Sequence, residues 1–455
     1  MTQRVDPQGK RLPIKLDSTS NGEFEPVPLW PANREANRRA QESASANSKK
    51  LGFSRRTFLT SACGAASTLL AFNAANAAAG RTGGFFDLPK EAALDLELAR
   101  AQVGPAKEEL VFDVQGHFID QPKGNPKDAE TFLKDVFLDS DTDLMVLSFV
   151  PSTRDSEPVT IQAADAVRRL VDRLEGTHRL LLHGRVNPNQ PGDLEGMDEL
   201  KEKWGVSAWK TYTQYGPGGR GYFLSDEVGS RFIEKARKLG VKTICVHKGL
   251  PFGSRSYEHS QCTDIGVVAK RFPDVNFLVY HSGFVPGVQE KAYSGGDGID
   301  TLVTSLRKNS IPRNSNVYAE LGSTWRFLMR DPQQAAHALG KLIQACGEEN
   351  VLWGTDSIWY GSPQDQIQAF RTFQIAPELR GTHGYAEITP PLRAKIFGRN
   401  AAKVYGLSPA EVKKYTRSDR VAREKLAYQE RADPHFLTYG PKTRREFLDL
   451  LRLTG

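Results

Sequence analysis

The chain has 455 residues, 25% of them charged and 39% hydrophobic, which suits a globular enzyme of two or three average domains or one large α/β barrel with extensions. Its net charge of +7 is concentrated at one end: residues 1–79 hold eleven Lys or Arg against six Asp or Glu, a surplus of five, leaving +2 for residues 80–455. A nucleic-acid footprint is excluded on that distribution, and no nucleic acid is expected as a partner.

Taken in order, the first feature is Ser54-Arg55-Arg56-Thr57-Phe58-Leu59. A charge-free, Ala-rich run follows from Thr57 to Ala79 and contains the small-x-small pattern Ala75-Asn76-Ala77. The stretch resembles a twin-arginine export signal. That resemblance implies a periplasmic protein, exported folded and often already loaded with its cofactor. Asn73, Asn76 and the weak hydrophobicity of the run argue against a membrane span, so no stable membrane insertion is expected after cleavage. The Pro-, Asn- and Ser-rich residues ahead of the arginines are expected to be disordered. Residues 1–79 are thus read as a disordered leader and signal. Beyond them lie only Cys245, Cys262 and Cys346, with no Cys-x-x-Cys pair, so no disulfide framework is expected.

From residue 108 onward, strand-like apolar runs alternate with amphipathic helical stretches. The strand candidates are 110–118, 143–149, 179–187, 206–212, 242–248, 276–282, 316–322 and 350–356. Helical patterns fall near 128–138, 158–175, 193–204, 225–239, 262–272, 298–308, 332–346 and 363–374. Eight strand–helix alternations predict a closed (β/α)8 TIM barrel over residues 108–407. No glycine-rich phosphate loop follows the first strand, which weighs against an open doubly wound sheet. Two long loops, 249–261 and 283–297, are expected over the C-terminal face, the second flexible at Gly295-Gly296-Asp297-Gly298. Residues 408–455 read as a helical C-terminal extension that packs on the barrel or on a second subunit of a homodimer.

The first strand candidate ends in Gln115 and His117, two residues apart and so on one face. His247, His281 and Asp356 stand at the ends of later strands. In a barrel these ends converge, and imidazole with carboxylate suits a divalent metal. Arg185, Lys210 and Glu320 also end strands and are candidate substrate-binding residues, Arg185 either by gripping a carboxylate or as an ordinary ion pair. Trp359, with Trp325, Tyr360, Tyr212 and Tyr215, offers an aromatic lining.

Three stretches resemble the amidohydrolase superfamily, in particular the amidohydrolase-related TIM-barrel hydrolases and decarboxylases. They are Leu352-Trp353-Gly354-Thr355-Asp356-Ser357, Tyr280-His281-Ser282-Gly283, and the run from Lys395 to Leu407. The resemblance implies one divalent metal, zinc first and manganese or iron as alternatives. It implies His117 and His247 as ligands, Asp356 as a ligand or general base, and His281 as the group that polarises or protonates substrate. The sequence departs from the usual His-x-His at Gln115, a neutral and weak ligand. Either Gln115 is a weak fourth ligand or the metal has been lost. Three activities are open: hydrolysis of a lactone, ester or similar carbonyl bond of a small organic acid; non-oxidative decarboxylation of an aromatic or unsaturated acid; and metal-free binding on a barrel scaffold. The expected partner is a small carboxylate or lactone.

Overall fold

The alternating runs assemble as their spacing predicts. The computed structural model describes residues 5–118, 129–152, 157–174, 176–251 and 257–454. A short strand, β1 (Gly84–Phe86), precedes the barrel. The barrel strands are β2 (Phe112–His117), β3 (Leu144–Ser148), β4 (Leu180–Arg185), β5 (Ala208–Tyr212), β6 (Thr243–His247), β7 (Asn276–Tyr280), β8 (Val317–Glu320) and β9 (Val351–Leu352). They pair in parallel in chain order, and helices such as Ile161–Asp172, Glu227–Leu239, Asp300–Lys308 and Pro332–Cys346 run between them. Strand β9 is shorter than expected because the chain leaves the sheet after Leu352. Backbone bonds still close the ring: Val114 N–H donates to Trp353 O at 3.1 Å, and Asp356 N–H to Gln115 O at 2.8 Å. The fold is a (β/α)8 barrel with a helical C-terminal region.

The barrel interior is a packed core, with Val114, Val146, Cys245, Leu278 and Leu352 among its buried side chains. Above that layer β2 carries an irregularity. Asp113 pairs with Met145 and Gly116 with Leu147, so two residues of β2 stand opposite Val146 alone. Such a bulge resets the alternation of faces. Val114 therefore points into the core and Gln115 and His117, one and three residues on, still point into the mouth.

The polar stretch ahead of the paired arginines is not disordered over its described residues. Helix α1 (Pro31–Lys50) packs against α3 (Ala62–Ala78), with the short α2 (Arg55–Leu59) between them. The buried face of α1 includes Ala32, Ala36, Ala40 and Ala44, a four-residue spacing that puts small side chains on one stripe. Against it α3 buries Ala65, Ala66, Leu69 and Phe72, and both helices join the hydrophobic cluster that covers the barrel's outer face. Arg55 and Arg56 are tied down as well: Arg55 Nε donates to Gly9 O at 2.8 Å, and Arg56 Nη2 to Asp433 Oδ1 at 2.5 Å. Strand β1 pairs antiparallel with β10 (Phe373–Ile375), which fastens the region to the barrel from the other side. Among the described residues no helix is long and apolar enough to cross a membrane.

Ahead of α1, residues 12–24 run across the end of the barrel. Lys15 Nζ donates to the carbonyls of Tyr360 (2.7 Å) and Ser362 (2.9 Å) and lies 3.4 Å from Asp365. Thr19 Oγ1 donates to Thr438 Oγ1 at 2.8 Å, and Ser20 N–H to Pro441 O at 2.8 Å. The C-terminal extension thus packs on the barrel and on the N-terminal segment, and Tyr439 and Gly440 N–H both reach Trp359 O. Of the two long loops, part of 249–261 (residues 252–256) lies outside the described residues. Loop 283–297, expected to be flexible, is held instead: Asp300 Oδ2 accepts from Ser294, Gly295 and Gly296 N–H, and Lys341 bridges Asp300 and Glu290. All four cysteines are buried free thiols.

If α3 is part of the folded core, Phe72→Ala should cost about 3–5 kcal/mol, the usual range for a buried aromatic truncation. Chemical denaturation of the full chain measures this. An unchanged midpoint would mean that α3 is detached from the fold.

Candidate active site

The site is built by four strand ends and one strap. The bulge in β2 presents Gln115 and His117, β6 ends in His247, and the turn after β7 begins with His281. His281 and Ser282 take φ of 63° and 52°, and Asp356 takes 57°, left-handed values that cost non-glycine residues about 1–3 kcal/mol each. Glu320 holds the first of these turns by accepting His281 N–H at 3.0 Å and Gly322 N–H at 2.6 Å. A Cβ at Gly354 would stand 1.6 Å from Glu320 Oε1, so only glycine fits in the Trp353-Gly354-Thr355-Asp356 turn.

Asp356 is the most heavily solvated group by protein donors. Its Oδ1 lies 2.9 Å from His117 Nε2 and accepts from Gln115 Nε2 at 3.0 Å. Its Oδ2 accepts from Ser323 Oγ at 2.5 Å and Asn21 Nδ2 at 2.7 Å. The same Asn21 amide donates to Glu23 Oε2 at 2.7 Å, so it stands between two carboxylates. Glu23 then faces two imidazoles, with Oε1 3.5 Å from His247 Nδ1 and Oε2 3.9 Å from His281 Nε2.

The tautomers follow from carbonyl oxygens, which only accept. His281 Nδ1 is 2.6 Å from Gly322 O and so carries a proton, leaving Nε2 as a lone pair. His247 Nε2 is 3.4 Å from Leu250 O and donates there, leaving Nδ1 as the lone pair toward Glu23. Gln115 Oε1, His117 Nδ1 and His247 Nδ1 are buried without a hydrogen-bond partner.

Burial keeps both imidazoles neutral, pushing His247 well below the usual range and His281 down to about 4. Burial, with the charge of Asp356 added, pushes Glu23 up to about 8. Burial likewise raises Glu320 to about 8 despite its two backbone bonds. Asp356 is buried too, but the hydrogen bond and charge of His117, with His281 and Ser323, outweigh that and hold it below the usual carboxylate range. Lys210 is lowered by burial to about 8, against the pull of Glu23. Its Nζ lies 3.9 Å from the centre of the Tyr280 ring and has no hydrogen-bond partner among the described residues.

A family model described as amidohydrolase matches residues 112–407, the barrel from β2 to the helix that closes it. The chain belongs to the amidohydrolase family. It is an enzyme of that superfamily. No curated protein sequence matches it. Solved structures similar to this amidohydrolase include 5-carboxyvanillate decarboxylase from Sphingomonas paucimobilis, with TM-score 0.41 and 13% identity over 66% of this chain and 99% of that one. The 2,6-dihydroxybenzoate decarboxylase from Rhizobium gives TM-score 0.42 and 15% identity over 66% and 99%. An amidohydrolase from Burkholderia multivorans with bound HEPES gives 0.42 and 13% over 66% and 100%.

In this amidohydrolase, Gln115, His117, His247, His281 and Asp356 lie together at one end of the barrel, in two groups. His117 is turned to Asp356, while His247 and His281 face Glu23, and these three residues offer ligand atoms within 4.8 Å of one another. The donor set fits a divalent cation: two imidazole nitrogens and a carboxylate offer ligand atoms toward one point, with the Asn21 and Gln115 amides donating at its edge, and each imidazole gives its other N–H to a backbone carbonyl, as metal-bound histidines do. Lys210 and Glu320 lie in the same buried mouth. Of the two readings of Arg185, the structure shows the ion pair, with Nη1 3.1 Å from Asp193 and Nε 2.5 Å from Glu157. Trp359 packs beside Ile358 and Tyr360, close to Gly22, while Trp325 is packing in the outer core. Sequence reasoning missed Asn21, Glu23 and Ser323. Nothing local marks Glu23: Asn21-Gly22-Glu23 reads only as a turn, far ahead of the barrel.

Glu23 also makes stability depend on pH. With an unfolded value near 4.5 and a folded value of about 8, the native state holds a proton that the unfolded chain has released between those limits, so stability falls as pH rises from about 4.5 to 8. In metal-free protein Glu23→Gln should flatten this slope. Urea midpoints at pH 5 and pH 8 test it, and an unaltered slope would place the titration elsewhere.

Proposed function

We propose that this amidohydrolase is a metal-dependent hydrolase acting on a carbonyl, lactone or ester-type bond of a small organic acid. The observation that carries the reading is the pairing of an electron-rich ligand cluster at His247 and His281 with an ionised Asp356 bound to His117. A divalent ion held there supplies Lewis acidity, lowering the pKa of water toward ~7 and polarising a carbonyl.

The side chains do the rest. Asp356 Oδ1 accepts the His117 Nε2 proton and so fixes the ring, whose neutral form offers the unpartnered Nδ1 as a lone pair. The pair is the general base for the attacking water, and its charge offsets the imidazolium that forms. His281 offers a lone pair at Nε2, which suits a ligand better than the oxyanion donor implied by the resemblance. Lys210, cationic and without a hydrogen-bond partner, is the donor available to a developing oxyanion or to a substrate carboxylate. That last feature also favours a second reading, decarboxylation, in which Lys210 grips the carboxylate of an aromatic or unsaturated acid.

Asp356→Asn should lower kcat by about 10²–10⁴, the usual worth of a positioned base. His247→Ala should lose both the metal and the activity. Chelator treatment followed by readdition of zinc, manganese or iron should abolish and restore turnover. A substrate panel divides the readings: lactone or ester cleavage supports the hydrolase, and CO2 release from aromatic carboxylates replaces it with the lyase. Full activity in metal-free protein would sink both.

A further inference from the structure

The family match begins at residue 112, yet a carboxylate from residue 23 lies inside the site. We propose that Glu23, carried in from the N-terminal segment, is an anionic metal ligand of this enzyme and replaces the ligand that Gln115 cannot supply. The inference rests on the metal-dependent reading above.

Three observations carry it. First, Glu23 faces imidazole lone pairs on both of its oxygens, at 3.5 Å (His247 Nδ1) and 3.9 Å (His281 Nε2). The hydrogens of those rings are spent on Leu250 O and Gly322 O. Two ring nitrogens and a carboxylate turned toward one point are ligand atoms of the kind a divalent cation takes. Second, His247 Nδ1 is fully buried and unpartnered, aimed into that same point. Third, Gln115 has turned its amide nitrogen outward from a ligand role: Nε2 donates to Asp356 Oδ1 at 3.0 Å and stands 3.5 Å from His281 Nε2. Gln115 serves as a donor inside the site, and the negative charge comes from the strap.

The strap is built to deliver that charge. Gly22 takes φ of 88°, and Asn21 Oδ1 accepts Glu23 N–H at 2.9 Å, which fixes a tight turn at the tip. Lys15 and Asp17 anchor the approach, the first on Tyr360 and Ser362 carbonyls and the second on Arg326 at 2.7 Å. Glu23 is therefore a positioned side chain on a fastened segment. It follows that the working enzyme keeps residues 12–24. If Arg55-Arg56 direct export, the exported protein carries this region with it uncut.

The test measures the affinity of full-length, chelator-stripped protein for Mn²⁺ or Zn²⁺ alone, by calorimetry and elemental analysis, with the Mn²⁺ electron paramagnetic resonance spectrum as a second readout. Glu23→Gln is isosteric and should keep the fold, which a thermal melt checks. It should weaken binding at least tenfold and change the Mn²⁺ spectrum. Adding Gln115→Glu to the Glu23→Gln protein should restore at least tenfold by returning a carboxylate from β2. Binding by Glu23→Gln within twofold of wild type, while His247→Ala binds nothing, overturns the ligand role and leaves the proposed function standing. A wild-type protein that binds no divalent ion overturns both. Purified enzyme that begins after Ala77 and still binds the ion as tightly as the full chain also overturns the inference.

Discussion

The mouth of the barrel buries more acid side chains than cations. Glu23, Glu320 and Asp356 are all buried there, and Lys210 is the cation placed among them. A buried charge is tolerated only with donors or a counter-ion. Glu320 is served by two backbone N–H groups, which is why the chain folds into left-handed turns at His281 and needs glycine at 354. Asp356 is served by four donors drawn from three segments of the chain. Glu23 has a single amide, from Asn21, and otherwise faces lone pairs. The fold thus serves two of its acids with several donors each, while burial leaves a proton on Glu23 that a bound cation would displace.

The barrel itself was legible because its parallel strands are buried on both faces and so read as short apolar runs. The amphipathic helical spacing between those runs follows from helices that cover the sheet on one side. The convergence of His117, His247, His281 and Asp356 was legible for the same reason, since strand ends in a barrel have only one place to meet. Their pairing was not. Strand periodicity places a side chain in the mouth but does not say which ring nitrogen is free, and that is decided by Leu250 O and Gly322 O, carbonyls of turns with no sequence signature. The bulge in β2 was likewise hidden, although the spacing of Gln115 and His117 gave the correct face.

The packing of the N-terminal region was hidden for a physical reason. A leader and a close-packed helix pair ask for similar composition: small, uncharged and only mildly apolar. Alanines at 32, 36, 40 and 44 let α1 approach α3, and the weak hydrophobicity of each helix matters little once both are covered. Two adjacent arginines look like a signal when read as a motif. In the fold they are hydrogen-bonded ties, Arg56 to the C-terminal extension and Arg55 to the carbonyls of Gly9 and Gln41. Those contacts span up to several hundred residues, and no local window contains them.

Both chain ends meet over the site, residues 17–20 against 438–441, so the strap is held by the extension as well as by the barrel. This has a thermodynamic consequence for any ion bound by Glu23. A ligand that binds only the docked strap stabilises docking by RT ln(1 + [L]/Kd), and docking raises the affinity for the ion by the same coupling. The strained turns at His281 and Asp356 are held by barrel groups, Glu320 on His281 N–H and Gln115 O on Asp356 N–H. The strap contributes one carboxylate, one bridging amide and their correct spacing. The site of this amidohydrolase therefore has two parts: a barrel that aligns its imidazoles through backbone carbonyls, and a segment from outside the barrel that adds a carboxylate to them.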